Sequence, residues 1–173
     1  MEKVKLPIKV DPVRCANKRL DYQGVFAAEL MPRLAESTQG IHGDINVSLT
    51  FGTDAQGLRI MSGKAGVDVT LQCQRCNEMF DTTIESEFTY TPLREDAEAP
   101  ELPEEYETFE ADEFGEINLA QTIEDELILA LPLVPAHENE GCAEGKFDLS
   151  YGELPEAEER SNPFAILEEL KRK

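Results

Sequence analysis

Residues 44–60 read DINVSLTFGTDAQGLRI, and the alternation in this stretch decides the fold. Ile45, Val47, Leu49 and Phe51 alternate with Asp44, Asn46, Ser48 and Thr50, the period-two pattern of a strand with one buried face. Asp54-Ala55-Gln56-Gly57 supplies a turn, and Leu58 and Ile60 open a second strand. That strand continues through Val67, Val69, Leu71 and Cys73 in the opposite phase, so a bulge or kink at Gly63 and Gly66 is expected to restore a single buried face. A third strand follows, with Phe80, Ile84, Phe88 and Tyr90 inward and Asp81, Thr83, Glu85 and Glu87 outward. Three successive strands joined by short turns predict an antiparallel meander.

Helical patterns flank it. Residues 3–10, KVKLPIKV, alternate apolar and basic side chains around Pro7, as in an edge strand. Asp11-Pro12 then predicts an N-cap and a proline at the first helical position, opening a short helix to Leu20. Leu30, Met31 and Leu34 place a second helix over Ala27 to Ser37. Asn118, with Gln121 three residues on, caps a third, in which Ile117, Ala120, Ile123, Leu127 and Leu131 recur near helical period until Pro132. Glu124, Asp125 and Glu126 are expected on its outer side. Asn162-Pro163 starts a short final helix, FAILEEL, with Lys171, Arg172 and Lys173 at its carboxyl end. The fold class expected is α+β: an antiparallel β-meander of three or more strands with packed helices, acidic mobile loops and a short C-terminal helix. Residues 1–137 form one domain with an acidic loop at about 94–107, residues 138–160 an acidic linker, and residues 161–173 the last helix.

The chain of 173 residues sets 36 Asp and Glu against 16 Lys and Arg, a net charge of -20 that repels phosphates and excludes broad nucleic-acid binding. A basic protein partner fits that charge. The acid is unevenly placed. Residues 1–22 carry Lys3, Lys5, Lys9, Arg14, Lys18 and Arg19 against three carboxylates, a patch that can contact a partner or, locally, RNA. Between Glu95 and Glu116 stand eleven carboxylates without a Lys or Arg, and eight lie between Glu138 and Glu159 against Lys146, so like-charge repulsion is expected to keep both stretches extended. No apolar run nears the roughly 18 residues of a membrane span, and no signal core opens the chain, so a cytoplasmic protein without a membrane partner is expected.

Cys73-Gln74-Arg75-Cys76 is the strongest chemical motif, because two thiolates at this spacing can chelate one metal from a tight turn. His137 and Cys142 are the candidates for the remaining ligands of a structural zinc site. Inert thiols are the second reading. A redox dithiol is the third, and it lacks the following helix whose dipole would depress a thiol pKa. Cys15 reads as a small core residue and His42 as a surface residue before a strand. No phosphate-binding glycine loop, nucleophile elbow or His-Glu-x-x-His pattern is present, so no catalytic residue is assigned and the chain reads as a non-enzyme.

Four stretches together carry a resemblance: KVKLPIKVDPVRCANKRLDYQG from Lys3, LQCQRC from Leu71 to Cys76, FGEINLAQTIEDELILALPLVPAH from Phe114 to His137, and the ending NPFAILEELKRK. In this order they resemble the YceD family, the large ribosomal RNA subunit accumulation proteins of bacteria and plastids. The resemblance implies a part in ribosome biogenesis through accumulation or maturation of 23S ribosomal RNA. It also brings in a gene commonly lying beside one for a large-subunit ribosomal protein. Joined to the charge, it points to a basic ribosomal protein or assembly factor as partner.

Overall fold

A computed structural model describes residues 4–92, 106–144, 146 and 152. The alternation produces three long strands, β3 (Gly40–Thr53), β4 (Arg59–Gln72) and β5 (Met79–Pro92), paired antiparallel in sequence order. Together with β2 (Asp21–Phe26) before them and β6 (Glu107–Phe109) after them they make a five-stranded sheet in the order β2-β3-β4-β5-β6, in which β6 runs parallel to β5. The short pair β1 (Lys9–Val10) and β7 (Ile117–Asn118) forms a separate ribbon. The α+β class holds, with the meander one strand longer than its alternation predicts.

The inner pleat explains the phase of β4. Met61, Ala65, Val67, Val69 and Leu71 are all buried, and the pairing with β5 runs without a break from Met61 to Gln72. The expected kink at Gly63 and Gly66 is therefore absent, and the register shift lies instead in β3, between His42 and Asn46. Gly63 concealed the phase because it occupies an inward position without a side chain. A Cβ there would stand 2.5 Å from Leu49 Cδ2 and 2.7 Å from the Phe88 ring, so the strands close over a gap that only glycine leaves.

β2 escaped the sequence reading because Gly24 interrupts its pattern, and the structure supplies the reason for that glycine. The Val4 carbonyl accepts from Val25 N at 2.8 Å and would lie 2.2 Å from a Cβ on residue 24. The single edge strand expected over residues 3–10 accordingly divides: Lys5 bridges Val25 along β2, and Lys9–Val10 pair with β7 beyond Pro7.

Three helices cover the inner face. α1 (Pro12–Lys18) begins at Asp11, whose side chain accepts from Arg14 N at 2.8 Å, and ends where Arg19 turns left-handed at φ 51. The helix expected over Ala27 to Ser37 breaks at Pro32, which lacks the amide to continue it: a 3-10 turn covers Ala28–Leu30, and α2 (Pro32–Ser37) restarts with proline in its first turn. α3 (Leu119–Leu129) is capped by Asn118, which accepts from Gln121 N at 3.2 Å. Its Leu119, Ala120, Ile123 and Leu127 pack on the core formed by Val47, Leu49, Phe51, Val67, Ile84 and Phe88.

The acidic side of α3 is not its outer side. Glu124 and Glu126 are 4% and 5% exposed, and both are tied into the fold. Glu124 accepts from Arg33 N at 2.7 Å and Leu34 N at 3.2 Å, capping α2, whose own N-cap residue Met31 offers no side-chain oxygen. Arg33 Nε adds a third contact at 3.0 Å. Glu126 accepts from Ser86 Oγ at 2.8 Å and the Tyr90 hydroxyl at 2.5 Å. Burial and the bond to Glu126 hold the Tyr90 phenol well above the usual tyrosine range, so it remains a donor.

The acidic stretch after β5 is partly structured: β6 pairs with the end of β5, and Asp112 accepts from Lys9 Nζ, Phe114 N and Glu116 N. Residues 93–105, most of residues 145–160 and the whole of the predicted helix 161–173 lie outside the described residues. The described residues up to Cys142 belong to one compact unit. The outer pleat of the sheet is polar. Along β2–β5 it presents Asp21, Asp68, Asp81, Glu85 and Glu87 against Lys64, which pairs with Glu87.

Replacing Glu124 by Ala strands two backbone amides and is expected to cost about 2–4 kcal/mol in urea unfolding. Asp125→Ala removes a half-exposed ion pair with Arg33 and should cost under about 1 kcal/mol. Gly63→Val is expected to destabilise by about 1–3 kcal/mol through overpacking against Leu49 and Phe88.

Candidate metal centre

The turn between β4 and β5 is a closed knuckle. Cys73 N donates to the Glu78 carbonyl at 2.9 Å and Asn77 N to the Cys73 carbonyl at 2.8 Å, while Asn77 takes a left-handed φ of 60, a conformation asparagine tolerates. The same turn holds the distal segment. Gln74 N donates to the Pro135 carbonyl at 2.9 Å, Arg75 donates from its guanidinium to the His137 carbonyl, and the rings of Phe80 and His137 stand 4.9 Å apart. After His137, a 3-10 turn over Glu140–Ala143 returns Cys142 toward the knuckle.

The four ligand candidates thereby meet. The ligating atoms of Cys73, Cys76, His137 and Cys142 all lie within 4.8 Å of one another. Cys73 Sγ is 3.8 Å from Cys142 Sγ, and Cys76 Sγ is 3.4 Å from His137 Nδ1. Zinc–sulfur bonds of about 2.3 Å and zinc–nitrogen bonds of about 2.0–2.1 Å, arranged tetrahedrally, require edges of about 3.8 Å and 3.5 Å. The Cys73–Cys142 and Cys76–His137 edges have that size, and three sulfurs with one imidazole nitrogen make a donor set that could hold a metal ion. None of the four cysteines is in a disulfide, and Cys15 stands apart in the core with its sulfur 3.7 Å from the Tyr22 hydroxyl.

Protonation is uneven within the cluster. Burial works to raise the Cys73 thiol, but backbone N–H groups of His137, Cys76 and Arg75, with the Cys76 side chain, outweigh it and bring the pKa down to about 5. Depression of a thiol here needs no following helix, contrary to what the motif alone implied. Burial pushes the Cys142 thiol up, and the neighbouring Cys73 and Cys76 sulfurs push the same way. A buried thiolate beside a thiol and an imidazole can hold a metal cation.

The basic residues singled out by sequence divide. Lys9 is engaged by Asp112 at 2.9 Å. Arg14 and Lys18 are exposed one turn apart on α1, followed by Arg19 at its end, whereas Lys5 lies along β2 and Lys3 falls outside the described residues. His42 is exposed on β3, 2.6 Å from Thr70 Oγ1 and 3.4 Å from Asp81. Sequence spacing could not have found Gln74, Arg75 and Phe80 as the residues that hold the distal ligand, since their contacts cross some sixty residues of chain. Among the described residues, no helix is long and apolar enough to cross a membrane.

No solved structure matches this chain. A protein-family model described as "Large ribosomal RNA subunit accumulation protein YceD" matches residues 61–171, which include both halves of the cysteine–histidine cluster. The protein of Haemophilus influenzae that carries the same description is 51% identical over 174 residues, covering 100% of each chain and so including the strands and basic residues before residue 61. This chain belongs to the YceD family of large ribosomal RNA subunit accumulation proteins.

Proposed function

We propose that this chain is a non-enzymatic ribosome biogenesis factor of the cytoplasm that supports accumulation or maturation of large-subunit (23S) ribosomal RNA by holding a basic ribosomal protein or assembly factor. Its relative's name supports the process, and the outer sheet face supports the mode. A pleat carrying Asp21, Asp68, Asp81, Glu85 and Glu87, on a chain of net charge -20, attracts basic polypeptide and repels the phosphates of free RNA. A crosslinked pull-down from cells at physiological salt, read by mass spectrometry and RNA sequencing, is expected to recover a basic ribosomal protein or assembly factor. Recovery of neither such a protein nor a ribosomal RNA precursor would overturn the reading.

Local RNA contact is the second reading, favoured by the exposure of Arg14, Lys18 and Arg19 around the end of α1. Exchanging Lys5, Arg14 and Lys18 for Glu separates the two. RNA crosslinking lost with protein recovery intact supports direct contact; crosslinking unchanged removes it.

Zinc held by Cys73, Cys76, His137 and Cys142 completes the proposal. Bound there, the ion would pin the distal segment to the β4–β5 turn, a structural rather than catalytic role. One equivalent of zinc is expected on release by a thiol-modifying reagent in the presence of a chromogenic chelator, and Cys142→Ala should weaken binding at least about tenfold. The pH dependence has a definite sign. Because Cys142 keeps its proton until the metal displaces it, affinity should rise with pH through neutrality, by about tenfold per unit for each proton released, and fall on acidification. A titration showing no zinc uptake at neutral pH would remove the site.

A further inference from the structure

β5 has two edges, and among the described residues its outer one is paired only at its end. β4 pairs with it from Met79 to Tyr90, whereas β6 covers only Tyr90–Pro92, so among the described strands nothing pairs with the outer edge of residues 79–89. An open edge of this length presents unpaired amides and carbonyls that an extended peptide can extend as a further strand.

The two sides of that edge differ in chemistry. On the outer pleat Asp81, Glu85 and Glu87 are exposed. Along the edge, between the strand and the segment after α3, lies a groove of about 340 Å³ whose lining includes the inward Phe80, Thr82 and Ile84, the outward Thr83, and Val134 and Ala136 of that segment. Leu133 and Val134 in that segment, and Leu129 at the end of α3, are 97%, 65% and 72% exposed.

We propose that the outer edge of β5 is a strand-addition site for an extended segment of a basic protein in which Lys or Arg alternates with apolar residues. The site rests on the reading of a basic partner given above and names the form in which that partner is bound. Successive side chains of an added strand point to opposite faces, so its cations would lie beside Asp81, Glu85 and Glu87 while its apolar residues enter the groove beside Phe80 and Ile84. Backbone pairing supplies affinity without regard to side chains, and the two-sided lining selects the alternation. The acidic stretches of this chain are poor occupants by charge, and its last segment, FAILEEL, has helical rather than alternating spacing.

The test uses the full chain and a ten-residue peptide alternating lysine and valine. Controls are a peptide of the same composition with the lysines in one block, and an alternating glutamate–valine peptide. The lysine–valine peptide is expected to slow backbone hydrogen exchange in residues 80–88 and to bind at least tenfold more tightly than either control. Asp81→Lys combined with Glu85→Lys, at exposed positions, should weaken it at least tenfold, and Val134→Lys severalfold. Absence of slowed exchange in β5, or equal binding of the blocked peptide, would overturn the site. So would amides already protected in the free protein and released by Phe164→Asp with Leu167→Asp, which would assign the edge to this chain's own terminus. Recovery of a basic partner from cells alongside failure with the peptide would sink strand addition alone. Peptide binding without any cellular partner would sink the functional reading instead.

Discussion

The docking of α3 across β4 and β5 is the contact on which the rest of the molecule depends. Leu119, Ala120, Ile123 and Leu127 bury one face of the helix on the inner pleat, and two carboxylates on neighbouring positions finish the attachment. Glu124 reaches the uncapped amides of α2, and Glu126 takes the hydroxyls of Ser86 and Tyr90 on β5. Two acids at this depth are tolerable because each accepts several hydrogen bonds, and an unpaired one would cost several kcal/mol, of the order of ~3–5. The helix is therefore held in one position, neither slid along nor rotated on the sheet.

That position delivers the metal cluster. α3 ends at Leu129, and the chain after it is led to the β4–β5 turn by Gln74 and Arg75, which hold the carbonyls of Pro135 and His137. The knuckle cysteines come from a turn of four residues, the other two ligands from a segment more than sixty residues later. A local pair of thiols becomes a four-ligand set only because a helix fixed elsewhere sets down its continuation in the right place. The Cys73 thiolate is stabilised from both sides of this junction, by the backbone amides of Arg75 and Cys76 in the turn and of His137 in the distal segment.

The sheet keeps its two faces separate. Inward side chains make the core beneath α1, α2 and α3, and outward ones form a polar, acidic surface with few cations. Charge on the outer pleat costs the fold little, since exposed carboxylates remain hydrated. The net charge of -20 is thus an arrangement: an acidic pleat, a basic α1 end and acidic segments between and beyond the strands.

The alternation of β3 and β5, the proline-opened α1, the Asn118 cap and the thiol pair at the knuckle were legible because each depends on residues a few positions apart. The family resemblance was legible for a related reason, being carried by short motifs in order along the chain. What sequence alone could not decide rests on distant contacts. The phase of β4 was hidden because Gly63 fills an inward place with no side chain, and β2 because Gly24 is required by a carbonyl twenty residues away. Burial of Glu124 and Glu126 contradicted helical periodicity because the donors that satisfy them sit on α2 and β5. Local periodicity determined which elements form. Only the tertiary structure decided which polar groups go inside, because a buried charge is stable solely where other segments bring it partners.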